Sequence, residues 1–240
     1  MGRYVNVTRR TGWRVPRAGF CPTDQQVAGL SDRVEAIVEA DARDLGGWAD
    51  GSFDAVVCLG PFYHLPDADD RARAAGELRR VLVPDGVAFV ALMPALAFAR
   101  RSLALPDERR HLCEPGFIER VLQQGVFFND VPGRFTHGDG VGPDEVPPFF
   151  AGFGFEQLAL LSAESVTVGL ELALPEVLVD ERLTQVALDL AIRHAGDPSI
   201  LGLARHLLYV GRRVTEANRC PRACAPAGED PLRSSSAPPR

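Results

Sequence analysis

The sequence contains no lysine, so arginine supplies all 26 of its basic residues. We attribute this bias to GC-rich coding rather than to function. Long apolar runs are also lacking, because the longest one, residues 86–99, is interrupted by Pro94 and is too short to cross a bilayer. The chain opens with no basic segment followed by an apolar one. The sequence therefore predicts neither a membrane span nor a secretory signal.

The five cysteines are scattered along the chain and odd in number, which argues against a disulfide framework. We therefore expect a reducing, cytoplasmic environment. Cys220 and Cys224 are close in sequence, but no His or Cys nearby supplies the two further ligands that a metal site would need. We expect no metal.

The charge is unevenly distributed, although the 240 residues carry a net charge of only -6. Residues 21–210 contain 15 arginines and 29 acids, while the two ends are rich in arginine. A body this acidic is a poor match for the phosphate backbone of a nucleic acid. Nucleic acid is therefore an unlikely partner, and the oligomeric state stays open.

Strand and helix signals alternate along the chain, which predicts an α/β fold with a mainly parallel sheet and helices on both faces. Strands are predicted at residues 34–39, 53–59, 87–92, 155–161 and 206–210, and helices at 67–82 and 180–195.

Residues 94–154 break this alternation and are dense in Pro, Gly and Phe. We expect an insertion here. Ligands bind beyond the carboxyl ends of strands in open α/β sheets, so an insertion after a strand is well placed to cover a substrate, although a structural flap would have the same composition. The residues after 211 have almost no apolar side chains and are predicted to form a disordered tail.

A polar segment, residues 39–45, follows the first predicted strand. The carboxylate of Asp41 or Asp44 could accept hydrogen bonds from an adenine edge or a ribose. Capping of a turn is the more common role of an Asp in such a segment.

A second segment, residues 58–65 (CLGPFYHL), follows the next predicted strand. Gly60 allows close approach of a ligand to the backbone. Tyr63 and His64 bring a hydroxyl and an imidazole suited to proton transfer. A purely structural role for these two side chains is an equally good interpretation.

The third candidate is the segment 136–139, in which His137 and Asp139 could form a base and its orienting acid. The surrounding glycines favour an ordinary surface loop. Neither a G-x-S-x-G elbow nor a P-loop occurs.

Three motifs follow one another along the chain: ADARDL at residues 40–45, GSFDAVVCLGPFYHL at 51–65 and ELRRVLVPDG at 77–86. Together they resemble the class I S-adenosylmethionine-dependent methyltransferases. In that family a D-A motif follows the third strand, an F-D-x-V run forms the fourth, and an L-x-P-x-G turn precedes the fifth. The resemblance covers roughly residues 30–211, and it implies a Rossmann-like sheet with S-adenosylmethionine as the cofactor.

The resemblance also implies a cofactor site. Asp41 would accept a hydrogen bond from the adenine amino group, and the backbone N–H of Ala42 would face the adenine ring. Leu59 and Gly60 would line the methionine portion. Gly2, in the G-R-Y sequence at the start, would be the last glycine of the family's glycine-rich loop.

The resemblance further implies that Tyr63 and His64 border the methyl-transfer site, where one of them would remove a proton from the acceptor. Phe127, Phe128 and His137 would belong to the cover over the substrate.

The family's G-x-G-x-G loop is absent, and Gly19 stands where the acid that holds the ribose hydroxyls is expected. We therefore expect the first strand and this loop to be missing, because the domain starts upstream or is degraded. A sheet with such a gap would bind S-adenosylmethionine weakly or not at all.

The predicted organisation has five parts: a degraded N-terminal part (1–30), the cofactor-binding core (31–93), a substrate-covering insertion (94–154), the C-terminal part of the sheet (155–211) and a disordered tail (212–240). The predicted function is methyl transfer from S-adenosylmethionine to a small molecule. A non-catalytic, truncated methyltransferase-like protein is the alternative. A dinucleotide-dependent oxidoreductase is disfavoured, because no G-x-G-x-x-G opens a helix and the chain lacks the lysine of a Tyr-x-x-x-Lys pair.

Overall fold

The computed structural model describes the backbone of residues 5–8, 17–18 and 37–38, and all atoms of residues 40–130 and 137–215. Gly2 and Gly19 lie outside the described residues, as does the predicted tail beyond residue 215. The statements below concern the described residues.

The strands belong to one sheet. They are Val5–Thr8 (β1), Arg17–Ala18 (β2), Ile37–Val38 (β3), Phe53–Cys58 (β4), Leu82–Pro94 (β5), Val126–Phe128 (β6), His137–Val141 (β7), Phe155–Ser162 (β8) and Leu207–Arg213 (β9). The order on one side is β3-β2-β1-β4-β5. β5 then pairs with β9 along residues 87–92 and with β7 at residues 93–94. β9 continues to β8, and β7 continues to β6.

The helices lie in the connections between strands. They are Ala68–Val81 (α1), Ala95–Ala104 (α2), Phe117–Gln124 (α3), Val146–Gly152 (α4), Leu174–Val177 (α5), Glu181–His194 (α6) and Pro198–Leu201 (α7), with 3-10 turns at Phe62–His64, Pro106–Cys113 and Ser165–Thr167.

The α/β class is confirmed, and the main elements lie where the sequence predicts them. Helix α1 begins at its N-cap Asp67, whose side chain accepts from the backbone N–H groups of Asp69 and Asp70. This capping satisfies donors that the first helical turn leaves free. Strand β9 continues to Arg213, two residues into the predicted tail.

The sheet is mixed, which corrects the expectation of a mainly parallel sheet. β4 and β5 are parallel, but β9 runs antiparallel to both β5 and β8. An antiparallel neighbour needs no crossover connection, so the alternation of strand and helix signals cannot distinguish it from a parallel one.

The predicted gap beside β4 is not found. β1 occupies this edge by pairing with residues 55–58, and it runs antiparallel to β4. An uncovered strand edge leaves N–H and C=O groups unpaired, which favours pairing with whatever segment is close by. β2 and β3 then extend the sheet beyond β1.

The main core lies where α1 and α4 pack against the sheet. α1 buries one face, formed by Ala74, Ala75, Leu78 and Val81. On α4, the ring of Phe150 stacks on that of Tyr209 in β9, with centroids 4.2 Å apart. Burial raises the pKa of Tyr209 to about 12.

The connection between β5 and β8 has a smaller apolar core of its own. The connection consists of α2, α3, β6, β7 and α4 with their loops. The buried side chains of its apolar core include Phe98, Phe117 and Phe127. The rings of Phe98 and Phe127 stack with centroids 4.6 Å apart. Phe127, predicted to belong to the substrate cover, is therefore a core residue of this segment.

The segment around residues 136–142 corrects a second expectation, because His137–Val141 forms β7 instead of a surface loop. The glycines there permit close packing. A Cβ added at Gly140 would lie 2.6 Å from the Cα of Ala95 in α2, which is closer than real Cβ contacts. A glycine-rich sequence therefore marks a tightly packed strand at this position.

Candidate functional site

The end of β4 carries a backbone conformation suited to a ligand. Gly60 has a φ of +139°, a conformation that glycine adopts without strain. Leu59 before it is 45% exposed, and Pro61 after it caps the 3-10 turn Phe62–His64. The chain therefore turns sharply at the end of β4, and its backbone is accessible at the edge of the sheet. We call residues 59–64 the β4 turn.

Tyr63 and His64 belong to this 3-10 turn, and their ring centroids are 5.0 Å apart. A Cβ added at Gly60 would lie 3.6 Å from the hydroxyl oxygen of Tyr63, so this hydroxyl stands directly over the glycine. Burial raises the pKa of Tyr63, and the nearby Cys58 adds to this rise. Tyr63 is therefore held in its neutral form as a hydroxyl donor.

A third ring, which sequence reasoning missed, joins this group from the residue just before β9. The ring of His206 lies 6.0 Å from that of Tyr63, and its Nδ1 lies 2.8 Å from Oε1 of Glu164. Glu164 also accepts from the backbone N–H of His206 at 3.1 Å. Burial opposes the charge on Glu164, but these hydrogen bonds lower its pKa. Glu164 and His206 are 42 residues apart, so no local motif reveals the pair.

Asp41 lies in the turn after β3, and Arg43 is bonded to it. The Oδ1 atom accepts from the backbone N and Nε of Arg43 at 2.9 and 3.0 Å, and Oδ2 accepts from Nη2 at 2.6 Å. The Nη1 atom of Arg43 donates to Asp70 at 2.5 Å. The hydrogen bond to Asp41, and next that to Asp70, raise the pKa of Arg43. The guanidinium of Arg43 therefore donates to both carboxylate oxygens of Asp41.

Asp41 and Gly60 lie beyond the same edge of the sheet. β3 and β4 run in the same direction, because β1 is antiparallel to both β2 and β4, and β2 is parallel to β3. Three strand spacings separate them, which corresponds to about 14 Å. This placement agrees with a ligand that spans the strand ends between the two positions.

A pocket of about 260 Å³ lies next to the β4 turn, between α1, α3, β7 and α4; we call it the Asp139 pocket. It is lined by Phe62, Arg71, Leu92, Ala95, Leu122, Gln123, Gln124, Gly125, Asp139, Gly140, Val141, Gly142, Glu145, Val146, Phe149 and Phe150. None of the predicted cofactor or catalytic residues lines it, but Phe62 is adjacent to Tyr63 in the chain.

Asp139 is the buried acid of this pocket, with 5% of its surface exposed. Burial raises its pKa to about 7; Arg71 lowers it, and Glu145 adds to the rise. The guanidinium of Arg71 lies 2.8 Å from the Asp139 carboxylate, and its Nη1 also donates to the carbonyls of Leu65 and Pro66. The predicted partner, His137, is exposed and packs against Phe128 instead, with centroids 4.7 Å apart.

The described residues contain no group of three or more His, Cys, Asp or Glu that could hold a metal ion. Among the helices within the same ranges, none is long and apolar enough to span a bilayer.

Part of the chain is similar to a known protein family. The family model of the methyltransferase domain matches residues 2–90, which include Asp41, β4 and Gly60. This match confirms the resemblance to the class I S-adenosylmethionine-dependent methyltransferases over residues 2–90 of the chain. It also supports S-adenosylmethionine as the cofactor.

Solved structures share the fold. A protein from Listeria monocytogenes described as an S-adenosylmethionine-dependent methyltransferase is 10% identical, with a TM-score of 0.52, and the match covers 85% of this chain and 81% of that one. A methyltransferase from Methanosarcina mazei is 16% identical, with a TM-score of 0.46 and coverages of 76% and 69%. A methyltransferase from Haloferax volcanii, in complex with the Trm112 activator, is 17% identical, with a TM-score of 0.46 and coverages of 85% and 72%. The likeness to the Listeria monocytogenes protein, at 10% identity, shows the fold alone.

The two ends of the implied cofactor site fit S-adenosylmethionine unequally. At the methionine end, Gly60 and the exposed Leu59 leave the backbone accessible. At the adenine end, Ala42 has no exposed surface, and the carboxylate of Asp41 is bonded to Arg43. At the implied adenine end, a cofactor would therefore have to compete with Arg43 for the carboxylate of Asp41.

Proposed function

We propose that this chain is a methyltransferase that acts on a small molecule and binds its cofactor weakly. The observation that carries the proposal is the β4 turn within the matched domain, where Gly60 and Leu59 lie beside Tyr63. The adjacent pocket of about 260 Å³ supports a small acceptor, because it is too small for a macromolecule to enter.

In this proposal Leu59 and Gly60 contact the methionine portion of the cofactor, and Asp41 and Ala42 contact the adenine. S-adenosylmethionine, when bound, supplies an electrophilic methyl group. The protein has to align the acceptor and exclude water. Residues 94–154 cover the acceptor, and the positions of α3, β7 and α4 support such a role because these elements of the segment line the pocket.

Tyr63 and His64 are proposed to border the methyl-transfer site. Removal of a proton from the acceptor falls to His64, with Tyr63 as a neutral hydroxyl donor. The pair of His206 and Glu164 lies next to Tyr63 and supplies a second imidazole with an orienting carboxylate.

A small-molecule acceptor also agrees with the acidic charge of residues 21–210, which disfavours nucleic acid. The cytoplasmic location belongs to the same proposal and rests on the scattered cysteines, of which the buried Cys58 and the exposed Cys113 are free thiols.

Calorimetric titration of the full chain with S-adenosylmethionine tests the proposal. We expect a dissociation constant on the order of 10–1000 µM. Methyl transfer from labelled cofactor to a panel of small acceptors should accompany it. Absence of both binding and transfer at millimolar cofactor would contradict the proposal.

The second candidate is a non-catalytic methyltransferase-like protein. The bonding of Asp41 to Arg43 and the burial of Ala42 favour it, because both restrict the adenine end. Titration of the full chain and of a variant with Arg43 replaced separates the two candidates. A non-catalytic protein would fail to bind S-adenosylmethionine in both.

A further inference from the structure

Charged side chains line the Asp139 pocket, and none of them has a part in the proposed reaction. Its charged lining groups are Arg71 on α1, Asp139 on β7, and Glu145 at the start of α4. The other polar side chains in its lining, Gln123 and Gln124, are neutral.

The positive charge of Arg71 is already engaged. Its Nη1 lies 2.8 Å from Oδ1 of Asp139, and it donates to the carbonyl oxygens of Leu65 and Pro66 at 2.8 and 3.0 Å. An anion entering the pocket would therefore compete with Asp139 for the guanidinium. It would also be repelled by Glu145.

The two carboxylates retain capacity to accept. Within the described residues, Oδ2 of Asp139 has no hydrogen-bond partner, and Oε2 of Glu145 accepts from the backbone N–H of Gly142 at 2.5 Å. One arginine and two acids give the lining a formal charge of -1 when both acids are ionised. A bound cation would supply the countercharge that the pocket lacks.

Aromatic side chains form one wall of the same pocket. The rings of Phe62 and Phe149 meet edge to face at 6.3 Å, and Phe149 meets Phe150 at 5.0 Å. The faces of such rings attract cations and also bury apolar groups. The wall therefore suits a ligand that has both a positive charge and an apolar body.

We propose that the Asp139 pocket binds the methyl acceptor, and that this acceptor is a protonated amine with a small apolar body. The ammonium group pairs with Asp139 and Glu145, and the body packs against Phe62 and Phe149. The identification of the ligand as the acceptor rests on the proposed function.

Calorimetric titration of the full chain without cofactor tests the preference with three probes of similar shape: 2-phenylethylamine, 2-phenylethanol and 3-phenylpropionate. We expect the amine to bind about tenfold or more tightly than the alcohol, as for a hydrogen bond between charged groups, and the carboxylate to bind most weakly. Equal affinity for the three probes, or a preference for the carboxylate, would overturn the proposal.

Affinity for the amine should also rise with pH. Asp139 has a pKa of about 7, and the charged groups that face it in the pocket are Arg71 and Glu145, while His137 on the same strand packs against Phe128. The fraction of ionised Asp139 therefore increases from about pH 6 to about pH 8, where the amine stays protonated. An affinity for the amine that does not change over this range would contradict the pairing.

Two variants and a matched control assign the preference to these side chains. Asp139→Asn and Glu145→Gln should each lower the affinity for the amine, Asp139→Asn by about tenfold and Glu145→Gln by less because Glu145 is exposed. Asp144→Asn, a neutralised exposed acid that does not line the pocket, should leave it unchanged. If Asp139→Asn fails to fold, Glu145→Gln still tests whether the carboxylates bind the amine. An unchanged affinity for the amine in Glu145→Gln would contradict the proposal.

A separate titration with S-adenosylmethionine distinguishes this inference from the proposed function. Selectivity for the amine without cofactor binding would support the pocket assignment and contradict the proposed function. Cofactor binding without selectivity for the amine would agree with the proposed function and contradict the assignment of the pocket.

Discussion

At the scale of single residues, Arg43 bonds to Asp41, the residue that we propose contacts the adenine of the cofactor. Three of its nitrogens, Nε, Nη1 and Nη2, bond to the carboxylates of Asp41 and Asp70. The sequence marks Asp41 as a ligand contact through the D-A motif. It gives no sign that the side chain two positions later bonds to the same carboxylate.

Replacement of Arg43 by Gln should increase the affinity for S-adenosylmethionine, because it frees the carboxylate of Asp41. We expect an increase of roughly threefold to tenfold, since the bonded pair is about one-third exposed and is worth little in water. Arg73→Gln is the control, because Arg73 bonds to Asp70 but not to Asp41. Equal or weaker binding by Arg43→Gln in calorimetry would show that Arg43 does not obstruct the cofactor.

Replacement of His64 by Ala should lower turnover more than cofactor affinity, because an imidazole that removes a proton acts in the reaction and not in binding. A decrease in turnover of about tenfold or more is expected for a general base. Turnover and the dissociation constant of the cofactor are measured on the same preparation. An unchanged turnover would remove His64 from the mechanism and direct attention to His206.

At the scale of elements, β7 shows how packing sets the walls of the pocket. It joins the end of β5 at residues 93–94 and carries Asp139 beside the pocket. Gly138 and Gly140, which flank Asp139, are both buried, and Gly140 lies against Ala95 at the start of α2. A side chain here would separate β7 from α2, so the position of Asp139 depends on small residues around it.

Replacement of Gly140 by Ala should destabilise the fold by about 1–3 kcal/mol, as overpacking does, because the new Cβ would lie 2.6 Å from the Cα of Ala95. Gly152→Ala is the matched control, since no atom outside its own helix backbone and chain neighbours lies within 4 Å of the added Cβ. The free energy of unfolding in urea measures both. A decrease no larger for Gly140→Ala than for Gly152→Ala would mean that β7 can shift away from α2.

At the scale of the whole molecule, Asp139 links stability to pH. Its pKa of about 7 lies above the ordinary value of 3.8, so the folded state binds more protons than the unfolded state between these values. This group therefore makes the protein less stable as pH rises from about 4 to about 7, and its contribution levels off above that.

The variant Asp139→Asn should remove this dependence. We expect the difference in free energy of unfolding, wild type minus Asp139→Asn, to fall by roughly 1–4 kcal/mol between about pH 4.5 and about pH 8. Urea unfolding of both proteins at each pH measures it, and the comparison cancels the other acids, whose effects are common to both. A difference that stays constant with pH would show that Asp139 titrates normally.

The sequence by itself determined the class of fold, the position of α1, the strands β4, β5, β8 and β9, and the β4 turn with Gly60, Tyr63 and His64. These features depend on local periodicity and motif spacing, which adjacent residues encode. Only the tertiary structure decided the direction of β1 and β9, the strand at residues 137–141, the pairing of Arg71 with Asp139, and that of Glu164 with His206. Those features join residues distant in sequence, and the free energy of burying or pairing them depends on which surfaces meet once the chain has folded.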